Sequence, residues 1–160
     1  MTLAGFMAEI ILKTFINAPV VVCFNLSRSI DLHQVSTAHT QEKVIAGVTQ
    51  GLIGLGETVT WRAKHFGIWL NLTSKITAFI PPTSFTDEMT AGPFAMMKHQ
   101  HIFEGQENGT LMTDIFVFRS PLGLLGKLVD TLILKQYMRK LLVKRNGVIK
   151  MYAEENVGGI

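Results

Sequence analysis

Five residues have side chains and spacings that could do chemistry. His99 and His101 stand one residue apart in the stretch MMKHQHIFEG, residues 96–105, between large apolar groups. Asp87 lies in SFTDEMT, Asp114 in LMTDIFVF and His65 in TVTWRAKHF. A histidine beside a carboxylate can transfer a proton near neutral pH, so acid–base chemistry is available. The same pair can instead orient the polar group of a bound ligand, or form a satisfied polar row that fixes strand register. The register row ranks first, ligand contact second and catalysis third, because the chain carries neither a nucleophile motif nor an evident oxyanion donor. Metal binding ranks last. Two histidines of one strand could reach one zinc ion, but there is no H-E-x-x-H, no cysteine pair and no third ligand at a diagnostic spacing. The expectation is no metal and no cofactor.

Whether these side chains meet depends on the strands that carry them. Alternate residues of a strand share a face. In TVTWRAKHF, Arg62 and Lys64 must meet water, so Val59, Trp61, Ala63 and His65 face inward. By the same alternation the inner sets are Leu70, Leu72, Ser74 and Ile76; then Phe85, Asp87 and Met89; then Met97, His99, His101 and Phe103; then Met112, Asp114, Phe116 and Phe118. A turn near Gly92–Pro93 places Asp87 across from His99. A turn at GQENG places Asp114 across from His99 or His101. One slipped residue would reverse either pairing. The expected result is a row of Asp87, the histidines and Asp114 on the floor of a cavity rimmed by Met, Phe and Trp. Methionines at 89, 97 and 112 beside that row suit a pocket that adapts to its ligand.

The elements follow from turn signals and periodicity. Residues 8–15, AEIILKTF, read as a strand and residues 18–35 as two short helices, with Pro19 in a first turn and Ser27 or Ser29 as caps. EKVIAGVT is a further strand. GLIGLGE is a glycine-rich turn without the strand-to-helix context of a phosphate-binding loop. Breaks at Gly67, Pro81–Pro82, Gly92–Pro93 and EGQENG then divide an antiparallel meander. From Ser120 and Pro121 to Tyr152 runs a long helical pattern, with Leu125, Leu128, Leu132, Tyr137, Leu141, Val148 and Tyr152 at helical intervals and Gly147 as the place where it could break.

Composition sets outer bounds. The 160 residues, 17.8 kDa, suit one domain with one sizeable core, spanning 1–160. Hydrophobic residues make up 48% and charged residues 17%, an apolar balance that calls for a large core or a lined cavity. No run approaches a membrane-spanning helix, and one cysteine, Cys23, excludes a disulfide framework. A cytoplasmic protein is expected. Residues 121–160 hold seven basic and three acidic groups. That basic helix, with Lys140, Lys144 and Arg145, reads first as a solvated face, then as a weak contact for a membrane surface or partner; no nucleic-acid partner is expected.

The order of strand, two short helices, six strands and long helix resembles the helix-grip fold of the START and Bet v 1-like superfamily. More narrowly, GETVTWRAKHFG, TDEMTAGPF, KHQHIFE, GTLMTDIFVF, PLGLLGKL and YMRKLL look like bacterial SRPBCC ligand-binding proteins, over about residues 7–152. The resemblance implies an α+β fold in which a curved antiparallel sheet of about seven strands wraps the C-terminal helix. It also implies non-covalent binding of a hydrophobic small molecule such as a lipid, isoprenoid or polyketide-like compound. The expected ligand-binding set is Trp61, His65, Leu70, Leu72, Phe85, Asp87, Met89, Met97, His99, His101, Met112, Asp114, Phe116 and Phe118, with Leu125 and Leu132 from the helix. The superfamily also holds polyketide cyclases, so the alternative is a cyclase or dehydratase with His99 or His101 as base and Asp87 or Asp114 as orienter. Oligomeric state does not follow from any of this.

Overall fold

The structure is a computed structural model, and it describes residues 7–121 and 133–157. The chain opens with strand β1, Ala8–Ile16, followed by helices α1, Val20–Ser27, and α2, Ile30–Ser36. Six strands come next: β2 Lys43–Gly47, β3 Thr58–His65, β4 Ile68–Ile80, β5 Ser84–Ala91, β6 Met96–Gln106 and β7 Gly109–Arg119. Helix α3, Lys135–Val157, closes the described chain.

Local chemistry explains the boundaries. Pro19 caps α1, where its missing N–H costs nothing. The Ser29 hydroxyl accepts a hydrogen bond from the Leu32 amide at 3.2 Å and starts α2. Gln106 pairs with Gly109 across a two-residue loop between β6 and β7. Gly109 is required there, because a Cβ would stand 2.3 Å from the Ile16 carbonyl oxygen. The β3–β4 turn sets both Phe66 and Gly67 at positive φ, 51° and 77°, the pattern that matches the twist of a tight hairpin.

All strand pairs are antiparallel and form one sheet in the order β1-β7-β6-β5-β4-β3-β2. The first strand therefore closes against the last. Irregularities at Val44/Ala46, Thr73/Ser74 and Ile76/Ala78 are the kind that bend a sheet. On the concave side Phe24 of α1 packs its ring against Phe79, Phe85 and Phe103 at 5.4, 5.7 and 5.6 Å. A second apolar cluster joins Ile10, Met97, Phe116 and Phe118 to Leu142 of α3.

Helix α3 differs from its sequence reading in three ways. It runs through Gly147 without a break. Its buried stripe is Leu142, Arg145, Asn146, Ile149 and Ala153, while Tyr137, Leu141, Val148 and Tyr152 are only half-buried. Arg145 is thus no part of a solvated basic face: it is 7% exposed. Leu125, Leu128 and Leu132 lie outside the described residues. Among the described residues, no helix is long and apolar enough to cross a membrane.

Candidate functional site

Strands β5, β6 and β7 bring the polar residues together. Asp87 stands directly opposite His99, and His101 directly opposite Asp114. The hydrogen bonds run on the diagonals. His99 Nε2 meets Asp114 Oδ1 at 2.8 Å, and His101 Nε2 meets Asp87 Oδ1 at 3.0 Å. The two imidazoles overlap, with centroids 3.8 Å apart, and Phe85 stacks on His101 at 4.1 Å. Next-neighbour residues of β6 therefore tie together the strands on either side of it.

Helix α3 closes the row from above. Asn146 Nδ2 donates to Asp114 Oδ2 at 2.6 Å and to Thr14 of β1 at 3.1 Å. Arg145 donates to the Ser27 carbonyl at 2.9 Å and to Asn146 Oδ1 at 3.1 Å, and its guanidinium lies 3.6 Å from Asp114. Burial alone would raise the Asp114 carboxyl, but contacts from the His101 and His99 rings outweigh it and hold the group well below the usual carboxylate range. Asp87 is likewise lowered, burial being outweighed chiefly by the His101 hydrogen bond. Burial, with the neighbouring His101, depresses His99 to about 4. His101 Nδ1 is buried and lies 3.1 Å from Asp114 Oδ1 without the alignment of a hydrogen bond.

The row faces a cavity of about 450 Å³ that is partly open to solvent and mostly apolar in its lining. Trp61, His65, Leu70, Leu72, Phe85, Asp87, Met97, His99, His101 and Phe116 all line it. Four other residues of the expected set share the inner face of the sheet but not the cavity wall. Asp114 is fully buried behind the histidine rings. Met112 is covered by Ser27 of α1, whose hydroxyl reaches its sulfur at 3.4 Å. Phe118 is sealed against Phe94 and Phe116. Met89 packs, half-buried, on the second apolar cluster. Strand alternation names a face; it does not say what covers that face. Leu125 and Leu132 lie outside the described residues.

A second polar group at the cavity went unread in the sequence. His33 of α2 meets Glu42 at 2.6 Å and lies over Trp61 at 4.2 Å. His65 Nδ1 meets the Tyr137 hydroxyl of α3 at 2.7 Å. Burial works against the Glu42 carboxylate, yet the His33 hydrogen bond and charge keep its pKa lowered. Burial lowers His65 and raises Tyr137. The cavity thus has two polar poles, one on the sheet floor and one between α2, β3 and α3, with Trp61, Ala63 and Leu72 among the residues between. The floor pole also supplies what the H-x-H spacing lacked. Asp87, His99 and His101 each offer one ligand-type atom, all within 4.8 Å of one another, the third donor coming from the neighbouring strand.

No protein-family model and no curated protein matches the sequence. Solved structures do match the fold. The Zhui aromatase/cyclase from Streptomyces sp. R1128 superposes with a TM-score of 0.73 at 12% identity, covering 95% of this chain and 96% of that one. Major latex-like protein 151 of Panax ginseng gives 0.69 at 16% identity, covering 93% and 99%. Ara h 8.0201 gives 0.66 at 14% identity, covering 92% and 98%. At these identities the likeness establishes the fold: the chain has the helix-grip architecture of Bet v 1-like proteins and polyketide aromatase/cyclases.

Proposed function

We propose that the chain binds an apolar small molecule bearing a polar group, non-covalently, in the cavity between the sheet and α3. The observation that carries this reading is the cavity itself: about 450 Å³, lined mainly by apolar groups, with three titratable side chains of β5 and β6, His99 and His101 buried and Asp87 half-buried, presented at one wall. That is the composition of a small-molecule site, where apolar area gives affinity and a few polar groups fix orientation. Asp87, His99 and His101 hold the polar group, and Trp61, Leu72, Met97 and Phe116 contact the apolar body. A lipid, isoprenoid or polyketide-like compound meets both demands.

Native mass spectrometry of the gently purified chain tests this. An adduct of a few hundred daltons that leaves on organic extraction supports it. A chain that carries no adduct and takes up no apolar fluorescent probe saturably refutes it.

A second reading is favoured by one specific observation. His101 sits between two carboxylates, Asp87 and Asp114, at a cavity wall, as a general base held in orientation would; the fold likeness to an aromatase/cyclase is consistent with this. On that reading His101→Gln abolishes turnover of a polyketide-like substrate but leaves its affinity within about threefold, a shift of under 1 kcal/mol. A wild-type chain that turns over no such substrate removes the reading and leaves simple binding.

A further inference from the structure

The polar row is built more elaborately than a clamp for a head group requires. Its donors come from two paired strands, so the backbone ladder and not a mobile loop sets their positions. Asp87 and His99 are directly opposed, His101 shares their face, and their ligand-type atoms lie within 4.8 Å of one another. Three donors about 2.0–2.2 Å from one ion stand about 3.3–3.8 Å apart. A pair at the 4.8 Å limit must close by about 1–1.5 Å, a movement that side-chain rotation supplies while the paired strands stay fixed. One pair, His101 Nε2 and Asp87 Oδ1, is already at 3.0 Å.

We propose that Asp87, His99 and His101 bind one divalent transition-metal ion, with Asp114 as the outer carboxylate that orients both imidazoles. Each ring turns one nitrogen to Asp114: His99 Nε2 at 2.8 Å and His101 Nδ1 at 3.1 Å. The other nitrogen of His101, Nε2, points at Asp87, and on this assignment His99 binds the ion through Nδ1. A carboxylate behind the imidazole is the usual means by which a protein fixes tautomer and ring orientation at a metal ligand. The geometry also gives His101 Nδ1 a purpose. With the ion on the opposite nitrogen, this atom carries the proton and faces Asp114, its nearest acceptor.

Charge and access agree with this assignment. Two carboxylates, their side chains 0% and 18% exposed, have among the described residues one guanidinium acting on both, that of Arg145, 3.6 Å from Asp114. That leaves one negative charge in excess, which favours a bound cation. Asp87, His99 and His101 line the cavity, whereas Asp114 does not, so the ion enters from the cavity and its remaining positions face back into it. There a water, or an oxygen of the cavity's ligand, completes the shell. Two imidazoles and one carboxylate suit zinc, cobalt or ferrous iron better than magnesium or calcium, which favour all-oxygen sites. The inference does not depend on the ligand reading, since an apolar molecule can occupy the cavity with or without the ion.

The test uses the full chain, stripped with chelator. Zinc is titrated by calorimetry, and cobalt(II) serves as the spectroscopic probe. The expected result is one ion per chain with a visible cobalt band of low coordination number. His101→Gln and Asp87→Asn each weaken zinc binding at least tenfold, while His39→Gln, at an exposed histidine, leaves it unchanged. Asp114→Asn weakens binding about 10–100-fold, the range for an outer-shell carboxylate. Should the variants fail to fold, the wild type still decides. Zinc must shift the ring-nitrogen resonances of His99 and His101 in a long-range 1H–15N spectrum. A wild-type chain that takes up no zinc, or takes it up with those resonances unmoved, overturns the proposal, whatever the mass spectrum shows in the cavity.

Discussion

Replacing Asp114 by asparagine tests the arrangement most directly, because it keeps the shape and removes the charge. Asp114 is fully buried and accepts on both oxygens, from His99 Nε2 at 2.8 Å and from Asn146 Nδ2 at 2.6 Å. An amide presents one acceptor and one donor. One of the two bonds therefore becomes donor against donor, at a cost of about 1–3 kcal/mol. Arg145, also buried, loses the only carboxylate within 4 Å of its guanidinium among the described residues. Removing one partner of a buried pair costs about 3–5 kcal/mol. The two effects overlap at one group, so the expected loss is about 4 kcal/mol. For a chain of this size each kcal/mol moves Tm by about 2–4 °C, which puts the drop at about 8–16 °C. Urea unfolding at pH 7.5 in chelator gives the free energy without a bound ion. Asp114→Asn combined with Arg145→Met should lose less than the sum of the single changes by about 1–2 kcal/mol, since the second change removes the stranded charge. A single Asp114→Asn variant within 1 kcal/mol of wild type would show that α3 is not held to the sheet through this carboxylate.

Two further outcomes follow from the same geometry. In chelator, stability should fall as pH drops from about 6.5 to 4, because His99 takes up a proton in the unfolded chain at its ordinary value but in the folded chain only at about 4. The unfolded state binds more protons over that window, so stability rises with pH across it, by about 3 kcal/mol for this group alone; His99→Gln should flatten the profile, and parallel wild-type and variant profiles would refute the assignment. Leu72→Trp should fill the cavity between the poles, abolishing uptake of an apolar fluorescent probe while changing stability by less than about 3 kcal/mol. Probe uptake equal to wild type would mean that the ligand does not lie beside β4.

Much of the sheet could be read from charge alternation. In TVTWRAKH the two cations fall on one face, so the inner face is fixed without reference to any partner, and Trp61 and Ala63 are buried as expected. Turn positions placed Asp87 across from His99, as found, and Asp114 across from His99 or His101; the sheet pairs Asp114 with His101. What could not be read was anything set by packing between layers. Arg145 and Asn146 stand in a strongly basic stretch, where composition points to water. Their burial depends on α3 crossing β1 and meeting Ser27, 118 residues away in sequence. Glu42 and His33 come together only because α2 folds back over β3, and His65 meets Tyr137 across 72 residues. Periodicity also could not separate Phe116, which lines the cavity, from Phe118, which is fully buried against Phe94. Both point the same way, and only the covering loop distinguishes them.

The polar row could in principle serve the fold alone, by pinning the register of β5, β6 and β7. Its energetics argue otherwise. Apolar cross-strand pairs would fix the same register, and buried ion pairs are often no better than well-packed hydrophobic residues of the same volume. A row meant only for register would also be closed on every side, as Asp114 is. Instead the row is graded. Asp114, with Asn146 and Thr14, forms a sealed end that anchors α3 to β1 and β7. Asp87, with its side chain 18% exposed, forms an open end, and both histidines lie between with their rings at the cavity wall. The sealed end holds the geometry, and the open end leaves titratable atoms where a small molecule or an ion can reach them. Desolvation is compensated at the sealed end and polar capacity is left on the cavity side, the grading that the proposed binding site needs.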